Sequence, residues 1–358
     1  MLSAASREKS SAPRPLPSVA EWKRAIAGFQ SPSIRRAVWQ IANTLIPYAG
    51  LWVAMYFTLA VSWWLTLPLA VLAGAFLVRV FIISHDCGHD SFLPSRRANA
   101  TVGSITGFLA LTPYYHWRWQ HAVHHATTGD LDRRGSGDVW TMTVQEYLES
   151  SRWKRFAYRL ARNPLVLFLI APLLVFVIWQ RFPDPKAGRR ERRSVGWTNV
   201  ALLATAVAMS AIYGVVPYLV LQFLVMGIAG VCGVWLFYVQ HQFEGAYWER
   251  KENWDYTSAA LLGSSYYKLP AVLRWFSGNI GFHHVHHLNP RIPNYYLVRC
   301  HEAAKLDEHV KPLTTWKSLG TMSLHLWDEK LRQLVSFRDI RRNRHRVLTS
   351  DSGESPNG

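Results

Sequence analysis

Nine of the fifteen histidines in this 358-residue chain lie in three compact clusters. The first has an HxxxH spacing, the second an HxxHH spacing, and the third an HxxHH spacing with one additional histidine. Their members are His85 and His89, then His121, His124 and His125, then His283, His284, His286 and His287. On a helix, residues three and four apart share one face. Each cluster is therefore predicted to point its imidazoles in one direction, with only His284 turned away.

Eight imidazoles are more than one metal ion needs, because a single Zn²⁺ takes about four ligands. The pattern therefore predicts a site for two metal ions. Neutral imidazole binds iron, zinc, copper and nickel, so the residues by themselves leave the metal open. A single HxxHH motif arises readily by chance in a histidine-rich chain. Two such motifs and an HxxxH pair, all near predicted membrane boundaries, indicate a metal site.

The remaining histidines have no partner at ligand spacing. His241 differs from the others because it ends a long apolar stretch, where an ionisable residue is commonly functional, and it is predicted as a ninth ligand. The other five are predicted to be ordinary surface or interfacial residues: His116, His301, His309, His325 and His345.

Carboxylates near the clusters are candidates to orient the rings, since a metal-bound imidazole usually donates its second N–H to a carboxylate or a carbonyl. The candidates are Asp86, Asp90, Asp130, Asp138 and Glu244; for each, a solvated loop carboxylate is an equally good interpretation. The sequence has no Glu-x-x-His pair of the kind that carboxylate di-iron bundles use. The site is therefore expected to be built from histidines.

The placement of charge indicates a membrane protein. Residues 37–78 and 194–243 contain no Asp, Glu, Lys or Arg. At ~1.5 Å per residue, one crossing of the ~30 Å hydrocarbon core takes about 20 residues, so each stretch fits two crossings joined by a turn. The predicted spans are 37–59, 60–83, 197–217 and 218–241, with Pro217 in the second turn.

The histidine clusters determine how two shorter apolar stretches are interpreted. All three clusters must lie on one side of the membrane to form one site, so an even number of crossings separates them. The stretches 98–115 and 163–180 are therefore predicted to be interfacial or re-entrant helices. The expected fold is all-α: a multi-pass membrane protein with four transmembrane helices in two hairpins, interfacial helices, and a cytoplasmic helical cap that holds the two-metal site.

This topology explains the net charge of +17 without nucleic-acid binding. Seven Lys or Arg residues in 1–36 and six in 181–193 flank the apolar stretches, and positive charge beside a span marks the cytoplasmic side. Both termini and the catalytic face are thus predicted to be cytoplasmic. The expected organisation is a cytoplasmic segment 1–36, a membrane domain 37–340 and a disordered tail 341–358, with no cleavable signal peptide and no disulfide framework.

The motifs and their surroundings resemble the three histidine boxes of the integral-membrane fatty acid desaturase family. The matching segments are His85-Asp-Cys-Gly-His-Asp-Ser-Phe92, then His121-Ala-Val-His-His-Ala-Thr-Thr-Gly-Asp130 with Gly137-Asp-Val-Trp140, then Gly278-Asn-Ile-Gly-Phe-His-His-Val-His-His-Leu288 with Pro290-Arg-Ile-Pro-Asn-Tyr295. The resemblance spans about residues 35–300 and fits best the bacterial and cyanobacterial acyl-lipid Δ12 (omega-6) type.

The resemblance implies a di-iron oxidoreductase that uses O2 and two electrons to introduce a cis double bond into a lipid acyl chain, with reduction of O2 to water. It implies that the two irons are held by the histidines of the boxes and by His241 at the end of the fourth span. Family members also have an Asn–water ligand one helical turn earlier, where this chain has Phe237. The enzyme is expected in a bacterial inner membrane.

The sequence contains neither a Gly-rich dinucleotide fingerprint nor a His-Pro-Gly-Gly haem motif, so no bound flavin or haem is predicted. Electrons are expected from a separate ferredoxin or cytochrome b5-like protein, for which a basic cytoplasmic face is suitable. Two alternatives stay open. A membrane hydroxylase or ketolase acting on alkanes, sterols or carotenoids shares the early steps of the reaction. A histidine-rich metal transporter would instead place its ligands at mid-span depth.

Overall fold

The computed structural model describes residues 19–342 with the exception of Ser136 and Lys311. Residues 1–18 of the predicted N-terminal segment and residues 343–358 of the predicted tail lie outside the described residues. The protein is mostly helical (69%). The helices in the described residues are α1 Val19–Ile26, α2 Ile34–Leu59, α3 Trp63–Gly88, α4 Arg96–Leu109, α5 Tyr114–Thr127, α6 Val144–Glu149, α7 Arg152–Ala161, α8 Ala171–Leu173, α9 Arg189–Tyr213, α10 Val215–His241, α11 Tyr256–Leu262, α12 Ala271–Phe276, α13 His283–Leu288, α14 Leu297–Ala303 and α15 Thr315–Gly320.

Two small sheets accompany the helices, which the all-α prediction missed. Their strands are β1 Met142–Thr143, β2 Tyr266–Lys268, β3 Pro312–Thr314, β4 Leu326–Asp328 and β5 Gln333–Val335. Strand β4 pairs in parallel with β1 and antiparallel with β5, and β2 pairs in parallel with β3. Strands of two or three residues leave no alternating pattern to recognise. The parallel partners are also far apart in the sequence.

Three helices in the described part of the chain are long and apolar enough to cross a membrane, namely α3, α9 and α10. Helix α2 contains the predicted span 37–59 and is 26 residues long, but Gln40, Asn43 and Thr44 make it more polar, and it is not among the three. The helix pair Arg152–Ala161 and Val166–Arg181, bent by 62° at its break, brings the number to four if it forms one span.

The turn between α9 and α10 lies at Gly214, not at Pro217 as predicted. Gly214 has a φ of +83°, a conformation that glycine adopts without steric cost. Pro217 instead lies in the first turn of α10, where a missing backbone N–H leaves no hydrogen bond unmade. A proline is compatible both with a turn and with the first turn of a helix. The sequence therefore did not distinguish a turn at Pro217 from a turn at Gly214.

The two shorter apolar stretches fold into short or broken helices. The stretch 98–115 contains most of α4, whose 14 residues extend ~21 Å at ~1.5 Å per residue, less than the ~30 Å hydrocarbon core. The stretch 163–180 forms π-helical turns at Val166–Ile170 and Leu174–Ile178, on either side of α8. Such turns are uncommon within helices and are frequent at functional sites.

Helix α3 lies at the centre of the bundle, in contact with α2, α4 and α10. In the most apolar 18-residue stretch of each helix, 61% is buried in α3, compared with 6% in α9. Helix α4 approaches closely because Gly103 has no side chain: a Cβ there would lie 2.3 Å from the Tyr114 ring and 2.8 Å from Cys87. The end of α3 is therefore held by neighbouring helices, whereas α9 faces the surroundings.

Candidate metal centre

Helix α3 delivers the first histidine cluster. It continues beyond the predicted span end at residue 83 to Gly88, so that His85 lies in its last turn and His89 follows as its C-cap. Helix α5 is attached to this end because the Tyr114 hydroxyl donates a hydrogen bond of 2.7 Å to the carbonyl of Cys87. The HxxxH segment and the first HxxHH segment are thereby fixed relative to each other.

Helices α5 and α13 carry the two HxxHH motifs, and α10 ends at His241. The end of α10 is tied to the loop before α13, because Gln240 Nε2 donates to the carbonyl of Ile280 over 3.0 Å. Ser265 N donates to the carbonyl of Gln240 over 2.9 Å. These bonds place His241 beside α13, at the end of an apolar helix rather than at its midpoint.

The structure brings all nine predicted histidines together in two groups, in each of which the candidate ligand nitrogens lie within 4.8 Å of one another. The five-histidine group consists of His85, His89, His121, His125 and His286. The four-histidine group consists of His124, His241, His283 and His287. All members of the four-histidine group are buried, whereas His89, His121 and His125 of the other group are partly exposed. Their role as metal ligands stays a prediction.

Each HxxHH helix contributes to both groups, which the same-face prediction did not anticipate. Helix α5 gives His121 and His125 to the five-histidine group and His124 to the four-histidine group. Helix α13 does the reverse: His283 and His287 join the four-histidine group and His286 joins the five-histidine group. The two groups are therefore built from shared helices and lie side by side.

The distances between ring nitrogens fit a metal ion in each group. Neighbouring Nε2 atoms are 3.0–3.2 Å apart in the pairs His85–His121, His121–His125, His125–His286, His124–His241, His241–His283 and His283–His287. A neutral ring nitrogen carries either one hydrogen or one lone pair, so hydrogen bonds within a group leave some of these atoms unsatisfied. Two nitrogens at right angles and ~2.1 Å from a metal ion are ~3.0 Å apart, which matches the observed spacing.

Hydrogen bonds at the other ring nitrogen orient three of the histidines. His85 Nδ1–H donates to Asp86 Oδ1 over 3.0 Å and His124 Nδ1–H donates to Asp138 Oδ1 over 2.7 Å. His241 Nδ1–H donates to the carbonyl of Gly263 over 3.1 Å. With the hydrogen on Nδ1, the lone pair is on Nε2, which points into the group.

Burial favours the neutral form of the rings. It lowers the pKa well below the ordinary histidine value, and neighbouring imidazoles lower the pKa further, for His121, His125, His283, His286 and His287. Metal binding requires deprotonated, neutral imidazole. These rings are therefore ready to bind a cation at neutral pH.

Two of the five candidate carboxylates contact the histidine groups, Asp86 and Asp138. Asp86 also accepts hydrogen bonds from Asn294 N over 2.6 Å and from Asn294 Nδ2 over 2.8 Å. Asp86 therefore links the end of α3 and the His85 ring to the segment that follows α13.

The other three candidates serve different purposes. Asp90 Oδ2 lies 2.6 Å from Arg118 Nη2, and Asp130 Oδ2 lies 2.5 Å from Arg133 Nε. Glu244 is exposed. For these three, a carboxylate in a local ion pair or in solvent is the better interpretation.

One aromatic ring packs on each group. Phe237 lies beside the four-histidine group, with its ring centroid 5.3 Å from those of His124 and His241. Trp117 stacks on His121 of the five-histidine group at 4.4 Å. At the position one turn before His241, this chain thus offers a hydrocarbon ring and no donor atom.

The prediction that His301 is an ordinary surface or interfacial residue is wrong. His301 is buried, and its Nδ1 lies 2.8 Å from Nε2 of the fully buried His284. On its other side, His301 Nε2–H donates to Asp307 Oδ1 over 2.8 Å. Burial, followed by the neighbouring His301, lowers the pKa of His284 to about 3. The histidine that faces away from the groups, as predicted, thus attaches α13 to α14.

The same prediction is wrong for His116, which is buried and accepts a hydrogen bond of 3.0 Å from Asp184 N. This bond fixes the start of α5 to the segment before α9. His309 and His325 are partly exposed, and His345 lies outside the described residues.

Comparison with known proteins connects this geometry to a family. The family model described as "Fatty acid desaturase" matches residues 61–317. A fatty acid desaturase of Bacillus subtilis (strain 168) is 48% identical over 316 residues, which is 88% of this chain and 90% of that protein. A chloroplastic omega-3 fatty acid desaturase of Brassica napus is 30% identical over 68% of this chain. An sn-2 acyl-lipid omega-3 desaturase (ferredoxin) of Arabidopsis thaliana is also 30% identical over 68% of this chain.

The chain spans 61% of the Brassica protein and 56% of the Arabidopsis protein, so the plant relatives are longer. The family match covers the segments that carry every histidine of the two groups. The chain therefore belongs to the fatty acid desaturase family and is an oxidoreductase.

Proposed function

We propose that this enzyme is an O2-dependent acyl desaturase in which each histidine group holds one iron ion. The observation that carries the proposal is the convergence of nine imidazoles into two sets with metal-ligand spacing. Side chains alone cannot remove a hydrogen from an unactivated methylene by acid–base catalysis. A bound pair of irons would supply that redox chemistry, while the protein supplies binding and orientation.

The proposed reaction removes one hydrogen from each of two adjacent methylene groups and leaves a cis double bond. The two hydrogens, together with two electrons and two protons from outside, reduce O2 to two water molecules. The chain itself has to hold the two methylenes beside the histidine groups and exclude alternative carbon pairs. Positioning of this kind accounts for a large part of catalysis by enzymes.

An apolar cavity of about 550 Å³ between α2, α4, α9 and α10 is suited to the distal part of an acyl chain. Its size lies within the ~300–1,000 Å³ of ligand pockets. One wall is Phe176, whose ring lies 6.5 Å from that of Phe81, which lies 5.3 Å from that of Trp117. Trp117 stacks on His121, so this row of aromatic rings lies between the cavity and the five-histidine group.

The proposed membrane arrangement retains four spans, with α2 as the first, and a cytoplasmic cap that includes both termini. The uncharged stretches 37–78 and 194–243 support two hairpins. The histidine-bearing ends of α3 and α10 lie together, as an arrangement with one catalytic face requires. In this proposal residues 37–340 form a single membrane domain in a bacterial inner membrane, preceded by the segment 1–36 and followed by the tail 341–358.

The proposed partners are a lipid acyl substrate and a separate electron donor of the ferredoxin or cytochrome b5 type. The Arabidopsis relative is named for an acyl-lipid substrate and for ferredoxin. The net charge of +17 favours an acidic donor. The histidine-box resemblance favours a Δ12 (omega-6) double bond, whereas the plant relatives carry omega-3 in their names.

Fatty acid analysis of an expressing strain tests the proposal. The chain is expressed in a bacterium that makes monounsaturated but no polyunsaturated lipid, and the fatty acids are analysed by gas chromatography–mass spectrometry. We expect diunsaturated chains with the new double bond at Δ12. A double bond three carbons from the methyl end would contradict the Δ12 assignment alone. Hydroxylated or keto products without new double bonds would contradict the desaturase reaction.

The same strain tests the acyl cavity. Ala206 on α9 lines the cavity, so Ala206→Phe is expected to shift the products toward shorter acyl chains. Ala204 on the same helix is exposed and does not line the cavity, which makes Ala204→Phe the matched control. Equal chain-length profiles in the two variants would remove the cavity from the proposal.

A further inference from the structure

Helix α7 carries a stripe of large apolar side chains that points away from the protein. Trp153, Phe156 and Leu160 are 81%, 59% and 49% exposed, and their spacing places them on one face of the helix. Tyr158 and Arg162 are buried on the opposite side. The usual orientation of an amphipathic helix, with its apolar face toward the core, is therefore reversed here.

The orientation of α7 is fixed by hydrogen bonds. Tyr158 Oη accepts from Met142 N over 3.2 Å and donates to the carbonyl of His325. Arg162, at the C-cap of the helix, donates from Nη2 to Gln242 Oε1 over 2.9 Å. At the other end, Ser151 caps the helix by accepting from Lys154 N over 3.2 Å. The apolar stripe cannot turn inward without loss of these bonds.

Basic side chains flank the apolar stripe, and the helix has no acidic residue. At ~100° per residue, Arg152 lies about 70° from the centre of the stripe, and Arg155 and Lys154 lie about 130° from it on either side. Arg152 and Lys154 are exposed, and Arg155 is partly exposed. A helix with an apolar face and Lys or Arg on its flanks is typical of a helix that lies in the plane of a membrane surface.

The neighbouring segment supports the same surface. Helix α7 leads directly into Val166–Arg181, to which it is bent by 62°, and Leu165 and Leu169 continue the exposed apolar surface. Trp179 at the end of that segment is 71% exposed, as is common for tryptophan at a membrane interface. With 10 residues, α7 is ~15 Å long and too short to cross the bilayer.

We propose that α7 is a membrane-surface helix that inserts Trp153, Phe156 and Leu160 below the head groups and binds anionic phospholipid head groups with Arg152, Lys154 and Arg155. Lys and Arg side chains near an anionic membrane surface are attracted to it electrostatically. The interaction is independent of the metal reaction. It fixes the depth of the cap beside the end of α10, through the contact of Arg162 with Gln242.

Spin labels on the full-length protein in lipid nanodiscs test this inference. A nitroxide is attached at Phe156→Cys in a Cys232→Ser background, because Cys87 and Cys300 are buried. The control label is at Lys251→Cys, an exposed cap position. In nanodiscs with phosphatidylglycerol, we expect the label at 156 to be relaxed by O2 and shielded from a water-soluble nickel chelate, and the label at 251 to show the opposite.

A second measurement tests the head-group preference. With Arg152→Gln, Lys154→Gln and Arg155→Gln combined, the label at 156 is expected to lose the extra shielding that phosphatidylglycerol gives over phosphatidylcholine. The proposal is overturned if the label at 156 is accessible to the nickel chelate in both lipids. It is also overturned if shielding appears only after a soluble electron-donor protein is added, since α7 would then be a protein-docking helix. Unchanged lipid dependence in the triple variant would overturn the head-group contacts.

Discussion

The two histidine groups are built from the same pair of HxxHH helices but differ in completeness and exposure. The five-histidine group has one more nitrogen and three partly exposed rings, whereas every ring of the four-histidine group is buried. If each group holds one metal ion as proposed, the five-histidine group would supply one more ligand than the four-histidine group. The group with more histidines is therefore the more exposed one, while the group with fewer histidines is buried and flanked by Phe237.

Loss of a single ring should have the largest effect and should separate the groups. His121→Ala and His124→Ala remove neighbouring rings of α5 that belong to different groups. Each is expected to lower desaturation by more than about 100-fold, since even partners of the ligands change activity by 10–100-fold. Each should also lower the iron content from about two ions to about one per chain.

The measurement combines product analysis with elemental analysis of the purified variants, and His309→Ala, outside both groups, is the control. Full turnover in either ligand variant would contradict the proposed centre. Loss of both ions from each single variant would show that the two groups cannot be filled separately.

Replacing the orienting carboxylates should have the next largest effect. Asp138→Asn removes the charge beside His124, and Asp86→Asn removes the charge beside His85. Each is expected to weaken iron binding by about 10–100-fold in its own group, measured by titration of the iron-free protein. Asp86→Asn should also lower the unfolding temperature more, because Asp86 accepts two hydrogen bonds from Asn294.

Asp90→Asn provides a control for the carboxylates, because the Asp90 side chain pairs with Arg118 instead of with a histidine ring. Equal weakening of iron binding in all three variants would mean that net charge, not ring orientation, explains the effect.

The exposure difference should produce the smallest effect. His124→Ala leaves the five-histidine group intact, and His121→Ala leaves the four-histidine group intact. Iron release is followed over time after a water-soluble chelator is added. We expect iron to leave the His124→Ala protein a few times faster than the His121→Ala protein, because partly exposed rings open to solvent more readily than buried ones. Faster loss of iron from the His121→Ala protein would mean that the buried four-histidine group is the more accessible of the two.

The membership of the candidate site could be predicted from the sequence, but its division into two groups was overlooked. At ~100° per residue, the first and fifth positions of HxxHH are about 40° apart, while the fourth lies about 100° from the fifth. His121 and His125 therefore point together and His124 points elsewhere. The spacing therefore predicts the division into two groups. The approximation that residues three and four apart share one face is too coarse to show it.

Two other features of the structure have no local signal in the sequence, namely a contact between two histidines and the pairing of two strands. The contact of His284 with His301 joins residues on different short helices, and nothing in the sequence around His301 marks it as buried. The pairing of β1 with β4 joins strands that are far apart in the chain. By contrast, the long apolar helices and their histidine-bearing ends were predictable, because composition and length decide them.

The order of the ligands along the chain limits when a complete centre can first exist during synthesis. His283 is added about 200 residues after His85, which at ~5–20 residues per second corresponds to about 10–40 s. During this interval the nascent chain has only part of each histidine group, and α9 and α10 are synthesised between the first cluster and the last. If the two groups hold iron as proposed, iron binding is a late event in the synthesis of this protein, and α13 is the segment that completes both groups.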